Sequence, residues 1–255
     1  MKKVILVYSE KLSDSHLAAV ENIKKLIMRL EIEFSSVEVR ELKKEMLDVD
    51  LVITAGGDGT FIRAASYLKE VPILGINSEP ELSEGALTSL VDSELDVLEE
   101  ILKGNYNIVK RDRIKVIVNG DELDQLALND VYVGSTTHFH ASRYVIEFKG
   151  DSEEQRSSGV LFSTSSGSSA WYKSAGGEVF DEKKIKFLVR EPFSGRIFNP
   201  KMIRGEVLDG EKIKVIAKRH EGGVISLDSN FHKEFNIPDG VELELSEFPL
   251  KVVRK

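Results

Sequence analysis

The sequence predicts an α/β domain with a Rossmann-like parallel sheet, followed by an all-β, sandwich-like domain. Strand and helix signals alternate through the first 110 or so residues. Beyond Asn105 helical periodicity nearly vanishes and short strand patterns follow one another. A chain of 255 residues has room for two such cores. The expected boundaries are 1–110 for the α/β domain and 111–239 for the β-rich one, with 240–255 returning to the first.

In chain order, Lys3 to Tyr8 is a mostly apolar run, as a strand buried on both faces requires. Ser13 to Leu30 has helical spacing, with Leu17, Val20, Ile23, Ile27 and Leu30 on one face. Val37–Val39, Leu51–Thr54 and Val71–Ile76 are the next strands. Asp92 to Leu102 is an amphipathic helix that Gly104 stops. From Arg113 to Gly134 the pattern is a hairpin, with Asn119-Gly120 supplying positive φ angles. Further strands are expected at Tyr144–Phe148, Val160–Thr164, Ile185–Val189, Ile213–Ala217 and Val224–Leu227, with a helical turn around Ala170 to Ser174.

Composition narrows the function. With 41% apolar and 31% charged residues the chain reads as an ordinary globular protein. The net charge of −8 argues against nucleic acid, which needs a basic face, but leaves room for a small anionic ligand. No cysteine is present, which excludes disulfides, thiolate chemistry and Cys-ligated zinc. No apolar run approaches the roughly 18 residues of a membrane span. The N-terminal "MKKVILVYSE" is too short, and lacks the cleavage site, for a signal peptide. No Arg- and Ser-rich presequence fits ahead of it, so a cytoplasmic location is expected.

Chemistry is concentrated in "DLVITAGGDGTFIRAA", Asp50 to Ala65. Glycines at the end of a buried strand bring backbone amides close to an anion, and the next helix, starting near Thr60, adds the positive end of its dipole. The stretch lacks the Gly-Lys-Ser/Thr of a Walker loop and the spacing of a dinucleotide fingerprint. Asp58 is the odd member. A carboxylate beside a phosphate is repelled unless it accepts a hydroxyl proton or holds a metal ion. The bland alternative is a tight Asp-Gly turn. Asn129-Asp130 similarly offers either a grip on a ribose or base edge or an Asx turn. Eight hydroxyls between Ser157 and Ser169, with Gly167, fit a ligand-lining segment or a polar loop.

GGDGT resembles the signature of the NAD kinases and of their relatives, the diacylglycerol and sphingosine kinases and the phosphofructokinases. "LALNDVYVG" and "SSGVLFSTSSGSSAWYKSAGG" resemble the later NAD kinase motifs in order and spacing. "GINSEPELSEGAL", "RSSG" and "REPFSGRIF" are similar to the mitochondrial-type branch. The resemblance runs from the first strand to about Phe248. It implies a kinase that phosphorylates the 2'-hydroxyl of the adenosine ribose of NAD, giving NADP, with ATP or a similar donor and Mg²⁺. It implies Asp58 as general base, and nucleotide contacts from Gly57, Gly59, Thr60, Asn77, Asn129, Asp130, Arg156, Ser166, Ser169, Ala170, Trp171, Ser174, Asp228 and Asn230. It also implies a homodimer or homotetramer. The chain departs from the common pattern with Asp130 for Glu, Ser158 for Asp, Trp171 for Tyr and Asn230 for Gln.

His138 and His140 share a face if extended, but no third ligand stands out for a metal. Arg111, Arg113 and Lys115 form either a solvated strand or a phosphate contact. Two rival functions remain at this level: a GGDGT kinase acting on a lipid or sugar hydroxyl, and a non-catalytic NAD(P)-binding sensor.

Overall fold

The structure, a computed structural model, describes residues 1–10, 13–137, 139–196, 199–220 and 222–255. These form two compact units, Met1–Arg111 with Pro249–Lys255, and Asp112–Phe248.

Among the described residues, the first unit has β1 (Lys3–Tyr8), α1 (Asp14–Arg29), β2 (Glu33–Glu38), β3 (Leu51–Ala55), α2 (Asp58–Ala65), β4 (Ile73–Asn77), β5 (Leu90–Val91), α3 (Leu95–Leu102) and β6 (Asn107–Arg111). A C-terminal strand, Leu250–Arg254, completes it. The sheet order is β2, β1, β3, β4, C-terminal strand, β6, with β5 also on β4. Every pairing is parallel except β6 on the C-terminal strand. β1, β3 and β4 are buried along nearly their whole length. Val20, Ile23 and Ile27 of α1 and Leu98, Ile101 and Leu102 of α3 share one core with Leu6, Ile53 and Leu74 of these strands. Each such side chain contributes about 1.5–3 kcal/mol by leaving water.

Helix α1 starts where the sequence places it, because the Ser13 side chain accepts the His16 amide. Its buried face is rotated from the expected one. Leu17 is 44% exposed, whereas His16 is fully buried. The imidazole is satisfied there, with Nδ1 on the Ser78 hydroxyl (2.8 Å) and Nε2 on the Ser9 carbonyl (3.1 Å).

The second unit contains, among the described residues, β7 (Ile114–Val118), β8 (Asp121–Glu122), β9 (Asp130–Ser135), β10 (Ser142–Phe148), β11 (Asp151–Ser157), β12 (Gly159–Ser163), β13 (Ile185–Arg190), β14 (Arg204–Val207), β15 (Ile213–Ala217), β16 (Gly223–Leu227), β17 (Phe231–Glu234) and β18 (Gly240–Leu245). They make two antiparallel six-stranded sheets, ordered β11-β10-β15-β18-β7-β8 and β14-β13-β12-β9-β16-β17. One core joins the inward residues of both, including Val116, Tyr144, Val215 and Leu243 of the first and Val133, Phe162, Phe187 and Ile225 of the second. This is a β-sandwich. The β7–β8 turn uses Asn119 (φ 54°) and Gly120 (φ 93°) as the hairpin signal requires.

One boundary differs from the sequence reading. Residues 240–245 do not return to the first unit. The alternating "GVELEL" buries Val241, Leu243 and Leu245 in the sandwich, as β18 between β15 and β7. Only Pro249–Lys255 lies in the first unit.

Candidate functional site

In the first unit, GGDGT lies at the end of β3. Gly56 leaves the strand with φ +154°, and a Cβ there would stand 2.5 Å from the Thr60 hydroxyl, so the turn requires glycine. Gly57 caps α2 and Asp58 is its first residue, two positions ahead of the expected start. Thr60 is buried and points inward, with its amide on the Gly57 carbonyl (3.1 Å). The Asp58 carboxylate is half-buried and accepts two backbone amides, Leu87 on Oδ1 (2.8 Å) and Ala86 on Oδ2 (3.1 Å). Gly59 is exposed, and a Cβ built on it meets nothing within 4 Å. The fold thus leaves open space at the position that follows Asp58. Asn77, the last residue of β4, is 2% exposed; its amide oxygen accepts the Glu79 amide and its nitrogen donates to the Ser83 carbonyl.

In the second unit, most of the remaining predicted residues gather at one end of the β14-β13-β12-β9-β16-β17 sheet. Asp130 pairs with Ser163 across β9 and β12, and Val131 with Leu227 across β9 and β16. Asp228 follows β16 with φ 50° and accepts the amides of Leu128 (2.7 Å), Asn129 (2.8 Å) and Asp130 (2.9 Å). Its carboxylate thus fixes the backbone of the Asn-Asp pair, and the Asn230 side chain donates to the Asp228 carbonyl (3.0 Å). Burial pushes the Asp228 carboxyl up to about 6, against the pull of those three amides and Arg113. Burial, then the Asp228 charge, pushes Asp130 up to about 7. Among the described residues the Asn129 Oδ1 is buried without a hydrogen-bond partner.

The hydroxyl-rich segment divides its labour. Ser163, Thr164 and Ser168 are buried and bond to carbonyls of Asn129, Leu128 and Phe180 respectively. Ser166 is half-exposed, and Ser169 and Ala170 are exposed. Gly167, expected to let a ligand approach, instead lets the chain approach itself. A Cβ there would lie 2.2 Å from the Asn129 carbonyl oxygen. Gly167→Ala should therefore lower stability by about 3 kcal/mol, read as a fall in Tm, because backbone has to move.

Trp171 and Ser174 belong to the helical turn beginning at Ser168, which covers the outer face of this sheet. The Trp171 ring lies 5.5 Å from Tyr132, with the Arg190 guanidinium 5.4 Å over the indole. Ser174 donates to the Ala170 carbonyl (3.2 Å). Tyr132 and Arg190 carried no signal in the sequence. Arg156 is apart from this group, ahead of the opposite end of β12. It lines a cleft of about 670 Å³ with Arg143, Lys218, Arg219, Phe139 and Phe193.

Two members of the basic cluster, Arg113 and Lys115, are paired, and Arg111 is half-buried at the end of β6. Arg113 is fully buried and donates to the Phe248 carbonyl, and Lys115 bridges Glu244 (2.8 Å) and Glu247 (3.0 Å). Of the two histidines weighed for metal, His138 lies outside the described residues. His140 is exposed and in edge contact with the Phe139 ring.

A carboxylate among glycines, at the end of a parallel strand and the N-terminus of a helix, suits transfer of a phosphoryl group to a hydroxyl. Residues 2–106 match the family model of the ATP-NAD kinase N-terminal domain. The chain is 31% identical over 267 residues to a probable NADH kinase of Oryza sativa subsp. japonica, covering 95% of this chain and 82% of that one. It is 34% identical over 233 residues to an NAD kinase of Methanothermobacter thermautotrophicus, covering 85% and 76%. The structure of an NAD kinase from Archaeoglobus fulgidus in complex with ATP matches with a TM-score of 0.77 at 26% identity, over 98% of this chain and 92% of that one. Yeast NADH kinase complexed with NADH matches with a TM-score of 0.79 at 17% identity, over 100% and 84%, a likeness of fold. The chain belongs to the NAD kinase family, as its three motifs implied.

Proposed function

We propose that in this NAD kinase Asp58 takes the proton from the 2'-hydroxyl of the adenosine ribose of NAD. That oxygen attacks the terminal phosphorus of a donor such as ATP, the new O–P bond forms as the bond to the diphosphate breaks, and NADP and ADP leave. The observation that carries this reading is the Asp58 carboxylate itself, held by two amides beside the open space at Gly59. A ribose hydroxyl is a poor nucleophile at neutral pH, and a carboxylate within about 3 Å supplies the missing base.

The nucleotide-holding role falls to Asn129, Asp130 and Ser166, with Trp171 as an aromatic surface. The buried, unpartnered Asn129 Oδ1 supports this, because it awaits a donor such as a ribose hydroxyl or an adenine amine. Asp228 and Asn230 act through the backbone of that pair. Gly57 and Thr60 shape the turn, and Ser169, Ala170, Ser174 and Arg156 are secondary assignments. Among the described residues no three His, Asp or Glu side chains cluster as a metal cage. We therefore assign Mg²⁺ to the phosphate donor, where it neutralises phosphate charge. A homodimer or homotetramer and a cytoplasmic location complete the proposal. Among the described residues no helix is long and apolar enough to cross a membrane.

The test is NADP formation by the purified chain with NAD, Mg²⁺ and ATP, other nucleoside triphosphates or polyphosphate. Nucleotide binding without turnover for every donor would point to a sensor, and no binding of NAD or NADP to a lipid or sugar substrate. Gly59→Ala refines it. The helix gains roughly 0.5 kcal/mol from the alanine, so Tm should hold or rise. NADP formation should fall at least about tenfold, since the methyl takes up the open space at Gly59 that this reading gives to substrate.

A further inference from the structure

We propose that the loop from Ser78 to Thr88 is the positioning device of Asp58, and that Asn77 serves the reaction through this loop without touching nucleotide. The inference rests on the reading of Asp58 as proton acceptor.

A carboxylate at the first position of a helix ordinarily turns to the free amides of its own first turn. Asp58 turns away from them, to amides 28 and 29 residues further along the chain. One donor on each oxygen fixes the plane of the group. A carboxylate has about four acceptor directions, so two remain for a substrate proton.

Those amides belong to a segment with neither strand nor helix and with three acids, Glu79, Glu81 and Glu84. Left to itself such a segment is mobile. It is tied down along its length. At its start, the Asn77 amide spans the Glu79 amide (3.1 Å) and the Ser83 carbonyl (2.8 Å). The Ser78 hydroxyl meets His16 Nδ1 (2.8 Å), and Ser13 of the α1 cap donates to the Glu79 carboxylate. At its end, Arg254 donates to the Thr88 carbonyl (2.7 Å) and Ser89 to that of Val253 (2.6 Å). The tip between these anchors presents Ala86 and Leu87 to Asp58. Asn77 spends both ends of its buried side chain on the loop, so its loss would free the tip.

Two variants test this. Asn77→Ala releases the loop. Ala86→Pro removes a single donor, because Ala86 is the second residue of a turn closed by the Thr88 amide on the Gly85 carbonyl (3.1 Å), where proline is favoured. Each should lower kcat for NADP formation about 10- to 100-fold and leave KM for NAD within about twofold. The carboxyl ¹³C chemical shift of Asp58 should differ between Ala86→Pro and the wild type, because one amide donor to the carboxylate is gone. That readout needs no turnover, so it stands apart from the role of Asp58, which Asp58→Asn tests alone. If Asn77→Ala fails to fold, Ala86→Pro carries the test. A raised KM with unchanged kcat in Asn77→Ala would make Asn77 a nucleotide contact and overturn the proposal. An unchanged ¹³C shift and an unchanged kcat in Ala86→Pro would overturn it as well.

Discussion

Asp58→Asn should lower kcat for NADP formation by about a thousandfold while NAD affinity stays within about threefold. A positioned general base contributes roughly 10²–10⁴ in rate, and a carboxamide cannot accept the ribose proton. The substitution also disturbs the ground state locally. Both carboxylate oxygens accept amides, so the new NH₂ must face either Ala86 or Leu87 as donor against donor. That mismatch costs about 1–3 kcal/mol, which lowers Tm but leaves the buried core of the first unit intact. Melting curves at the assay temperature separate the two effects. Asp58→Glu is the companion variant. It keeps the charge, but one extra methylene takes it out of register with the two amides, and its rate should fall between those of wild type and Asp58→Asn. Steady-state NADP formation paired with calorimetric NAD titration checks both. Retention of more than a tenth of wild-type kcat in Asp58→Asn would end the proton-acceptor assignment.

The fold was legible where one face of an element has to be apolar. β1, β3 and β4 are buried runs, and β7 and β15 alternate strictly between buried and half-buried. Legibility weakened at sheet edges, where only the Val37 end of β2 carries a strand signal. β2 (EFSSVE) and β11 (DSEEQRS) are flanking strands with few buried positions, so backbone pairing rather than side-chain pattern specifies them. The class of the site was legible because GGDGT packs turn, helix start and carboxylate into five residues. What side chains do at the site was less so. Asn77 and Asp228 stand at motif positions that imply nucleotide contact, but their polar atoms are spent on backbone amides and carbonyls up to 100 residues away in sequence. Gly167 reads as room for a ligand but is room for Asn129. Such roles depend on which loops meet, and the amides of Ala86 and Leu87 carry no side-chain signal at all.

The Asp130–Asp228 pair should make the protein less stable as pH rises from about 5 to about 8, opposite to the usual effect of carboxylates paired with cations. Asp130 is 6% and Asp228 9% exposed. Folding raises their carboxyls from the ordinary 3.8 to about 7 and about 6, burial being the first cause in each. Between these limits the folded chain holds protons that the unfolded chain has released. Their stabilising effect is complete below about pH 4 and is lost as pH climbs through 6 and 7. The two titrate as a unit. Three amides and Arg113 favour the charge on Asp228, so the last proton rests on Asp130. Its ionisation costs on the order of 3 kcal/mol between pH 5 and 8. Asp112, also raised by burial, adds a smaller change of the same sign. Asp130→Asn cannot ionise, so its Tm should be nearly flat across the window and exceed the wild type at pH 8 by about 5 °C or more. Asp228→Asn should behave differently, melting lower at every pH, because it turns a donor toward amides that now share a carboxylate. Calorimetric scans of the three proteins from pH 5 to 8 decide the matter. A wild-type Tm that holds or rises, or an Asp130→Asn slope equal to the wild type, would show that Asp130 is ionised throughout and that the fold stabilises its charge.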